Sequence, residues 1–283
     1  MELWFSESHT ANVKLSLRVD KQLFSEVSEY QRVDVYESVE YGRLLVLDGR
    51  IMITERDEFI YHEMITHVPM CVNPSIKKVL LVGGGDGGSA RELLKYESIE
   101  KIELVETDEA VVRASRKYIP QTASCLDDRR VEVHIADGLK YVRRKSDEYD
   151  LIIIDSTDPF GAGEGLFTKE FYGNCFNALK SEGIMINQHE NPFYVVDALG
   201  MERAHKRLIS TFPLVRVYQI NIPSYPAGQW LFGFASKKYH PTAGADYERW
   251  EGMKIATRYY NVKIHAGAFA LPTYVLKKLQ SVE

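Results

Sequence analysis

Val79-Leu80-Leu81-Val82-Gly83-Gly84-Gly85-Asp86-Gly87-Gly88 decides how this chain folds. Four apolar residues in a row suit a strand buried on both faces, as in a parallel sheet covered by helices. The glycines form a tight turn, and Arg91-Glu92-Leu93-Leu94 behind them reads as helix. In that order, strand, turn and helix let backbone approach a ligand at the carboxyl end of the strand. Further on, Ile102-Glu103-Leu104-Val105 and the wholly apolar Leu151-Ile152-Ile153-Ile154 read as strands, Val131-Glu132-Val133-His134-Ile135 alternates, and Glu109 to Tyr118 reads as helix. This alternation, from Lys77 to about Ala235, predicts a mostly parallel sheet with helices on both faces.

Upstream the period is that of strands. Val13-Lys14-Leu15-Ser16-Leu17-Arg18-Val19 alternates strictly, followed by Val33-Asp34-Val35-Tyr36 and Arg43-Leu44-Leu45-Val46-Leu47. Asp48-Gly49 is a hairpin signal, with Ile51-Met52-Ile53 returning from it. Such a sheet of hairpins is marginal alone and is expected to lean on a neighbour or another subunit. Thr54-Glu55-Arg56-Asp57 resembles a capping box, so a helix is expected from there to about Val68, ended by Pro69. The tail from Tyr239 carries no clear period.

Composition narrows the class. Of 283 residues, 45% are hydrophobic and 27% charged, with a formal net charge of -5. Such mild acidity lacks the footprint of a nucleic-acid binder. There is no run of 18 apolar residues, so no membrane span is expected. Met1-Glu2-Leu3-Trp4-Phe5-Ser6-Glu7 does not read as a secretory leader. Three widely spaced cysteines, Cys71, Cys125 and Cys175, suit neither a disulfide scaffold nor a cysteine-rich zinc site. A cytoplasmic location is the expectation.

The glycine loop is followed by an acid, Glu106, at the end of the next strand, where a carboxylate can accept from a ribose diol. Gly83 and Gly85 would lie against the nucleoside. The plainer reading is a tight turn and a surface acid. Asp86 inside the loop would repel the phosphates of a dinucleotide and welcome a cation, which an S-adenosyl sulfonium supplies. Asp137-Gly138 follows the next strand, where an acid can meet an adenine amino group, or where an Asp-Gly turn simply forms. The expected fold class is therefore α/β: a Rossmann-like (S-adenosylmethionine methyltransferase-like), mostly parallel sheet with a small N-terminal antiparallel β domain. The boundaries are 1–54 for the β-hairpin domain and 55–283 for the Rossmann-like catalytic domain.

Asp155-Ser156-Thr157-Asp158-Pro159 ends the second wholly apolar strand. Gly161, Gly163 and Gly165 would leave Phe160 to Leu166 mobile, like a lid, before a helix capped by Thr168. Two such acids can ligate metal, brace a turn, or bind and deprotonate an amine. No histidine or cysteine cluster accompanies them in sequence, which disfavours metal. An alkyl amine has a pKa of about 10 and is mostly protonated at neutral pH, so a carboxylate that takes its proton makes it nucleophilic. Among 17 tyrosines, 12 phenylalanines and 3 tryptophans, Tyr61, beside His62, and Tyr225, in an irregular loop, are the aromatic candidates.

Together these residues resemble the polyamine aminopropyltransferases, most nearly the bacterial spermidine synthases. The matching segments include Leu3-Trp4-Phe5, Glu29-Tyr30-Gln31, Leu47-Asp48-Gly49, Thr54 to Met64, the glycine loop, Asp155 to Pro159, Tyr225-Pro226-Ala227-Gly228 and Phe269-Ala270-Leu271-Pro272. The resemblance implies transfer of the aminopropyl group of decarboxylated S-adenosylmethionine to putrescine, giving spermidine and 5'-methylthioadenosine, with no metal or cofactor, in a homodimer or homotetramer. It implies that Asp155 accepts the proton, that Ser156, Thr157 and Asp158 help hold the diamine, and that Asp86 binds the amino group of the aminopropyl arm. Gln31, Gly83, Gly85, Glu106, Asp137, Gly138 and Ala162 would hold the nucleoside. Tyr61, His62 and Tyr225 would line the amine channel, Trp4 would wall its far end and Glu190 would anchor the distal ammonium. Ala162 stands where relatives commonly have proline and Met52 where many have glutamine, departures that bear on acceptor choice. The alternatives are a cadaverine or agmatine acceptor, a methyltransferase on the same fold, and a non-catalytic polyamine sensor.

Overall fold

The computed structural model describes residues 2–156 and 165–283. Strands β1 (Leu3–Thr10), β2 (Val13–Val27), β3 (Arg32–Ser38), β4 (Gly42–Leu47) and β5 (Arg50–Thr54) form a five-stranded antiparallel meander. Asp48 and Gly49 both take positive φ, 48° and 80°, and pair Leu47 with Arg50. This is the two-residue turn whose twist matches a hairpin. The alternation of β2 is realised: Lys14, Ser16 and Arg18 are exposed while Leu17 and Val19 are buried. The meander leans on its neighbour, as its length requires. Val33, Val35, Leu45, Leu47 and Ile53 share an apolar cluster with Ala110, Val111, Ala114 and Ile119.

Helix α1 (Glu58–Val72) follows. The Thr54–Asp57 pair does bond, Thr54 Oγ1 donating to Asp57 Oδ1 at 2.6 Å, but it closes the turn before the helix, and Asp57 makes no side-chain cap bond. Nor does Pro69 end the helix. It lies inside the last turn, where its carbonyl still accepts from Asn73 N at 3.0 Å. Proline forfeits one donor and crowds the preceding turn, and burial of Val68, Met70, Cys71 and Val72 around it outweighs that loss.

Next come β6 (Lys78–Gly83), α2 (Gly88–Leu93), β7 (Lys101–Glu106), α3 (Glu109–Tyr118), the short α4 (Pro120–Ala123), β8 (Val131–Ile135), α5 (Gly138–Val142), β9 (Tyr149–Asp155), α6 (Lys169–Ala178), β10 (Leu179–Gln188), α7 (Val195–Ile209), β11 (Leu214–Asn221) and β12 (Gln229–Ser236). They build a seven-stranded sheet in the order β11-β12-β10-β9-β6-β7-β8, parallel from β10 to β8, with β12 antiparallel to both its neighbours. The apolar strands are buried on both faces: Val79, Leu81, Leu151 and Ile153 join one core, while Leu80, Val82, Ile152 and Ile154 join the other. From β6 the chain runs outward through β7 and β8 and returns to the opposite side of β6 as β9. Ligands bind beyond the carboxyl ends of strands at such a reversal.

The unreadable tail forms α8 (Tyr247–Gly252), α9 (Val262–Ala268) and α10 (Thr273–Gln280). Polar bonds from distant parts of the chain dock it. Glu63 of α1 accepts from the backbone N–H groups of Arg258, Tyr259 and Tyr260, each at 2.8 Å, and Trp250 Nε1 donates to the Tyr96 hydroxyl at 2.9 Å. Among the described residues, no helix is long and apolar enough to cross a membrane.

Candidate active site

Asp155 ends β9 directly opposite Gly83 of β6. A Cβ on Gly83 would lie 2.1 Å from the Asp155 carbonyl oxygen, and φ there is +82°, so only glycine permits this approach. At the far end of the loop, a Cβ on Gly88 would meet the His62 ring at 2.1 Å. The glycines thus bring strand β9 and helix α1 against one turn. Sequence reasoning assigned them to the nucleoside alone.

The convergence makes a compact charged cluster. His62 Nε2 lies 3.3 Å from Asp86 Oδ1, and single atoms of His62, Asp86 and Asp155 all fall within 4.8 Å of one another. The expectation that no histidine accompanies the acids is corrected here, because α1 delivers His62 across the fold. Their donor atoms are close enough to hold a metal ion. On the other side of His62, Glu58 Oε2 sits 2.5 Å from His62 Nδ1, and Arg91 clasps Glu58 with both Nη atoms, at 2.8 and 2.9 Å. Burial opposes charge on His62, but Asp86 and Glu58 prevail and raise its pKa to about 10. The ring thus pairs with a carboxylate on each side, hydrogen-bonded to Glu58 and ion-paired with Asp86.

The two acids differ. Burial raises Asp86, but the facing His62 outweighs it and lowers its pKa, and Gly88 N adds a bond at 2.8 Å. Asp155 is raised, first by burial and then by the charge of Asp86. Ser89 Oγ donates to Asp155 Oδ2 at 2.6 Å, and this bond and the Tyr61 hydroxyl work against the rise. One carboxylate is held ionised while its neighbour is pushed toward accepting a proton, an arrangement that separates binding from base chemistry.

A cavity of about 410 Å³ runs along this edge of the sheet. On one side it is lined by Gln31, Gly83, Gly85, Glu106, Asp137 and Gly138, all expected to line a site. Glu106 accepts from Gly85 N at 3.3 Å and Asp108 N at 3.0 Å, and burial pushes its pKa up to about 7. Gln31 Nε2 donates to Asp108 Oδ2 at 3.1 Å. Asp137 caps α5, its Oδ1 accepting from Leu139 N at 2.9 Å, so the capping and lining roles coincide. The other side is lined by Tyr61, His62, Asp86, Asp155, Ser156 and Tyr225. Tyr225 donates to the Met52 carbonyl at 2.8 Å, and its ring lies 6.4 Å from that of Tyr61.

Three expectations fare differently. Thr157, Asp158 and Ala162, with most of the expected lid, lie outside the described residues. Among the described residues Gln188 is on the lining and Glu190 is not; Glu190 is buried, with φ +67°, just past the end of β10. Trp4 is 56% exposed on β1 and is not among the lining residues. Sequence reasoning missed Ser89, Glu58, Arg91, Glu7, His9 and Trp230. Glu58 and His62 are four residues apart and share a helix face, a signal that was available. Ser89 carried none.

Fold and site together define a nucleoside-dependent transferase whose reacting end is lined by acids. Residues 58–244 match the spermine/spermidine synthase domain, and residues 3–55 match the spermidine synthase tetramerisation domain. The chain is similar to polyamine aminopropyltransferases of Alkaliphilus oremlandii, 58% identical, and Clostridium perfringens, 59% identical, each over 283 residues and the full length of both chains. The fold is similar to a crystal structure of spermidine synthase in complex with the transition state analogue AdoDATO, with TM-score 0.96 and 44% identity over 99% of this chain and 95% of that one. Spermidine synthase from Thermotoga maritima gives 0.94 and 44%, over 99% of this chain and 94% of that one. The chain belongs to the spermine/spermidine synthase family and is an aminopropyltransferase.

Proposed function

We propose that the protein is a spermidine synthase that transfers the aminopropyl group of decarboxylated S-adenosylmethionine to putrescine. The observation that carries this reading is the convergence of an ionised Asp86 and a proton-accepting Asp155 in one cavity with the half-buried ribose-type acceptor Glu106. Glu106 takes the ribose hydroxyls, and Gln31, Asp137, Gly138 and the loop glycines frame the rest of the nucleoside. Asp86 holds the ammonium of the aminopropyl arm, which places the carbon next to sulfur before Asp155. The acceptor nitrogen enters past Tyr61 and Tyr225 and loses a proton to Asp155. Its lone pair forms the new N–C bond as the C–S bond breaks, and the electron pair leaves with sulfur as neutral methylthioadenosine. Thr157 and Asp158 are assigned to the diamine and Ala162 to the nucleoside on sequence resemblance alone. No metal or cofactor takes part. The active form is a homodimer or homotetramer, a reading supported by the match of residues 3–55 to a tetramerisation domain.

The test is methylthioadenosine release with product mass, using decarboxylated donor against putrescine, cadaverine and agmatine, with intact S-adenosylmethionine as a control and a chelator arm. Putrescine is expected to give the highest kcat/KM, unaffected by chelator. Preference for another amine would replace the acceptor, and methyl transfer from the intact donor would overturn the reaction class.

Nucleoside binding is expected to depend on pH. A ribose diol donates to the Glu106 carboxylate, so the charged form binds. The folded pKa of Glu106 is raised to about 7, so affinity is present above that value and falls as pH drops through it, by up to about tenfold per unit. Calorimetry with methylthioadenosine on both sides of neutrality checks this; a flat profile would show that Glu106 does not bind as a carboxylate.

A further inference from the structure

The cavity lining also includes Glu7 and His9, two residues of β1. His9 Nε2 lies 2.8 Å from Asp197 Oδ2 of α7, and its Nδ1 lies 4.0 Å from Glu7 Oε1. All three side chains are at least nine-tenths buried, at 4%, 4% and 10% exposed. Glu7 is fixed by Ile51 N, which donates to its Oε2 at 2.9 Å. The Tyr194 ring packs on His9 at 4.4 Å between centroids. Nδ1 of His9 is buried without a hydrogen-bond partner, since 4.0 Å is too long for one. Two carboxylates and an aromatic ring around one cationic group are what recognises an ammonium ion. Here the protein supplies that cation itself. The bond to Asp197 and then the nearby Glu7 carboxylate raise the His9 pKa to about 9, so the ring is charged at neutral pH.

We propose that His9 sets the upper length of the acceptor, its imidazolium occupying the carboxylate pair Glu7 and Asp197 that would otherwise receive the third nitrogen of a longer polyamine. The inference rests on the proposed transfer to a diamine. An acid-lined channel alone would favour longer polycations, because each added ammonium finds another acid. A fixed cation at its far end reverses that preference by like-charge repulsion, and the ring also fills the space. The reaction product, itself a triamine, is thereby rejected as a second acceptor, and transfer stops after one step.

The test compares the full-length wild-type protein with His9→Ala and His9→Gln. Acceptors are 1,4-diaminobutane, the triamine spermidine and, as a control without a distal charge, 1-aminobutane, all with decarboxylated donor. Thermal melts establish that each variant is folded. His9→Gln keeps a donor for Asp197 and serves if His9→Ala does not fold. The expected result is a rise of about tenfold or more in the ratio of triamine to diamine kcat/KM, in line with removal of one like-charge contact, while the monoamine is unchanged. Triamine binding to the variants by calorimetry should strengthen to match. An unchanged ratio in a folded variant overturns the proposal. So does a loss of diamine turnover with no gain for the triamine, which would mean that His9 holds the diamine. If the wild-type protein releases no methylthioadenosine with any amine, the reaction assignment itself fails and this inference falls with it, a result distinct from either of the others.

Discussion

Asp155→Asn lowers turnover by about 10²–10⁴-fold, the usual scale for loss of a general base, while methylthioadenosine binding is nearly unchanged. The expectation follows from where Asp155 sits. It ends β9 against Gly83, is pushed toward proton uptake by burial and by Asp86, and is aimed by Ser89 and Tyr61. Asparagine keeps the shape and the bond from Ser89 but cannot take a proton from an alkyl ammonium. Single-turnover release of methylthioadenosine, with the nucleoside affinity measured in parallel, checks this. Turnover within a factor of a few of the parent would remove Asp155 from the reaction.

Asp86→Asn raises the donor KM by about 30–10³-fold, the cost of truncating one member of a buried charged pair, with a smaller change in kcat. It also removes the ion-pair partner of His62 Nε2. Two further effects separate recognition from a general loss of structure. The charge of Asp86 raises Asp155, so its removal lowers the Asp155 pKa. Because the base acts when ionised, above its pKa, the acidic limb of kcat should move to lower pH. Discrimination between the decarboxylated and the intact donor should also narrow, because the intact donor carries a carboxylate that Asp86 repels. A variant with an unaltered donor KM would show that the aminopropyl ammonium is held elsewhere.

Much of this site could be read along the chain. Apolar runs ending in Gly83, Glu106 and Asp155 place those residues at one edge of a parallel sheet, because the run that makes a buried strand and the point where it ends are local properties, and parallel strands end on the same edge. Asp86 is legible as a cation-seeking acid from its place inside the glycine loop. What the chain hid turned on packing. Pro69 looked like a helix end, and burial of its neighbours keeps it inside α1. Which residues past the end of β10 reach the cavity, Gln188 among them, likewise depends on what packs around them.

By itself, the sequence determined the sheet, the hairpin meander, and a row of acids at strand ends suited to a nucleoside and amines. Only the tertiary structure decided which cations those acids meet: His62 on Asp86, backed by Glu58 and Arg91, and His9 between Glu7 and Asp197. The physical reason is that periodicity is set by neighbours along the chain. Protonation instead depends on desolvation and on charges a few ångströms away, supplied by elements far apart in sequence.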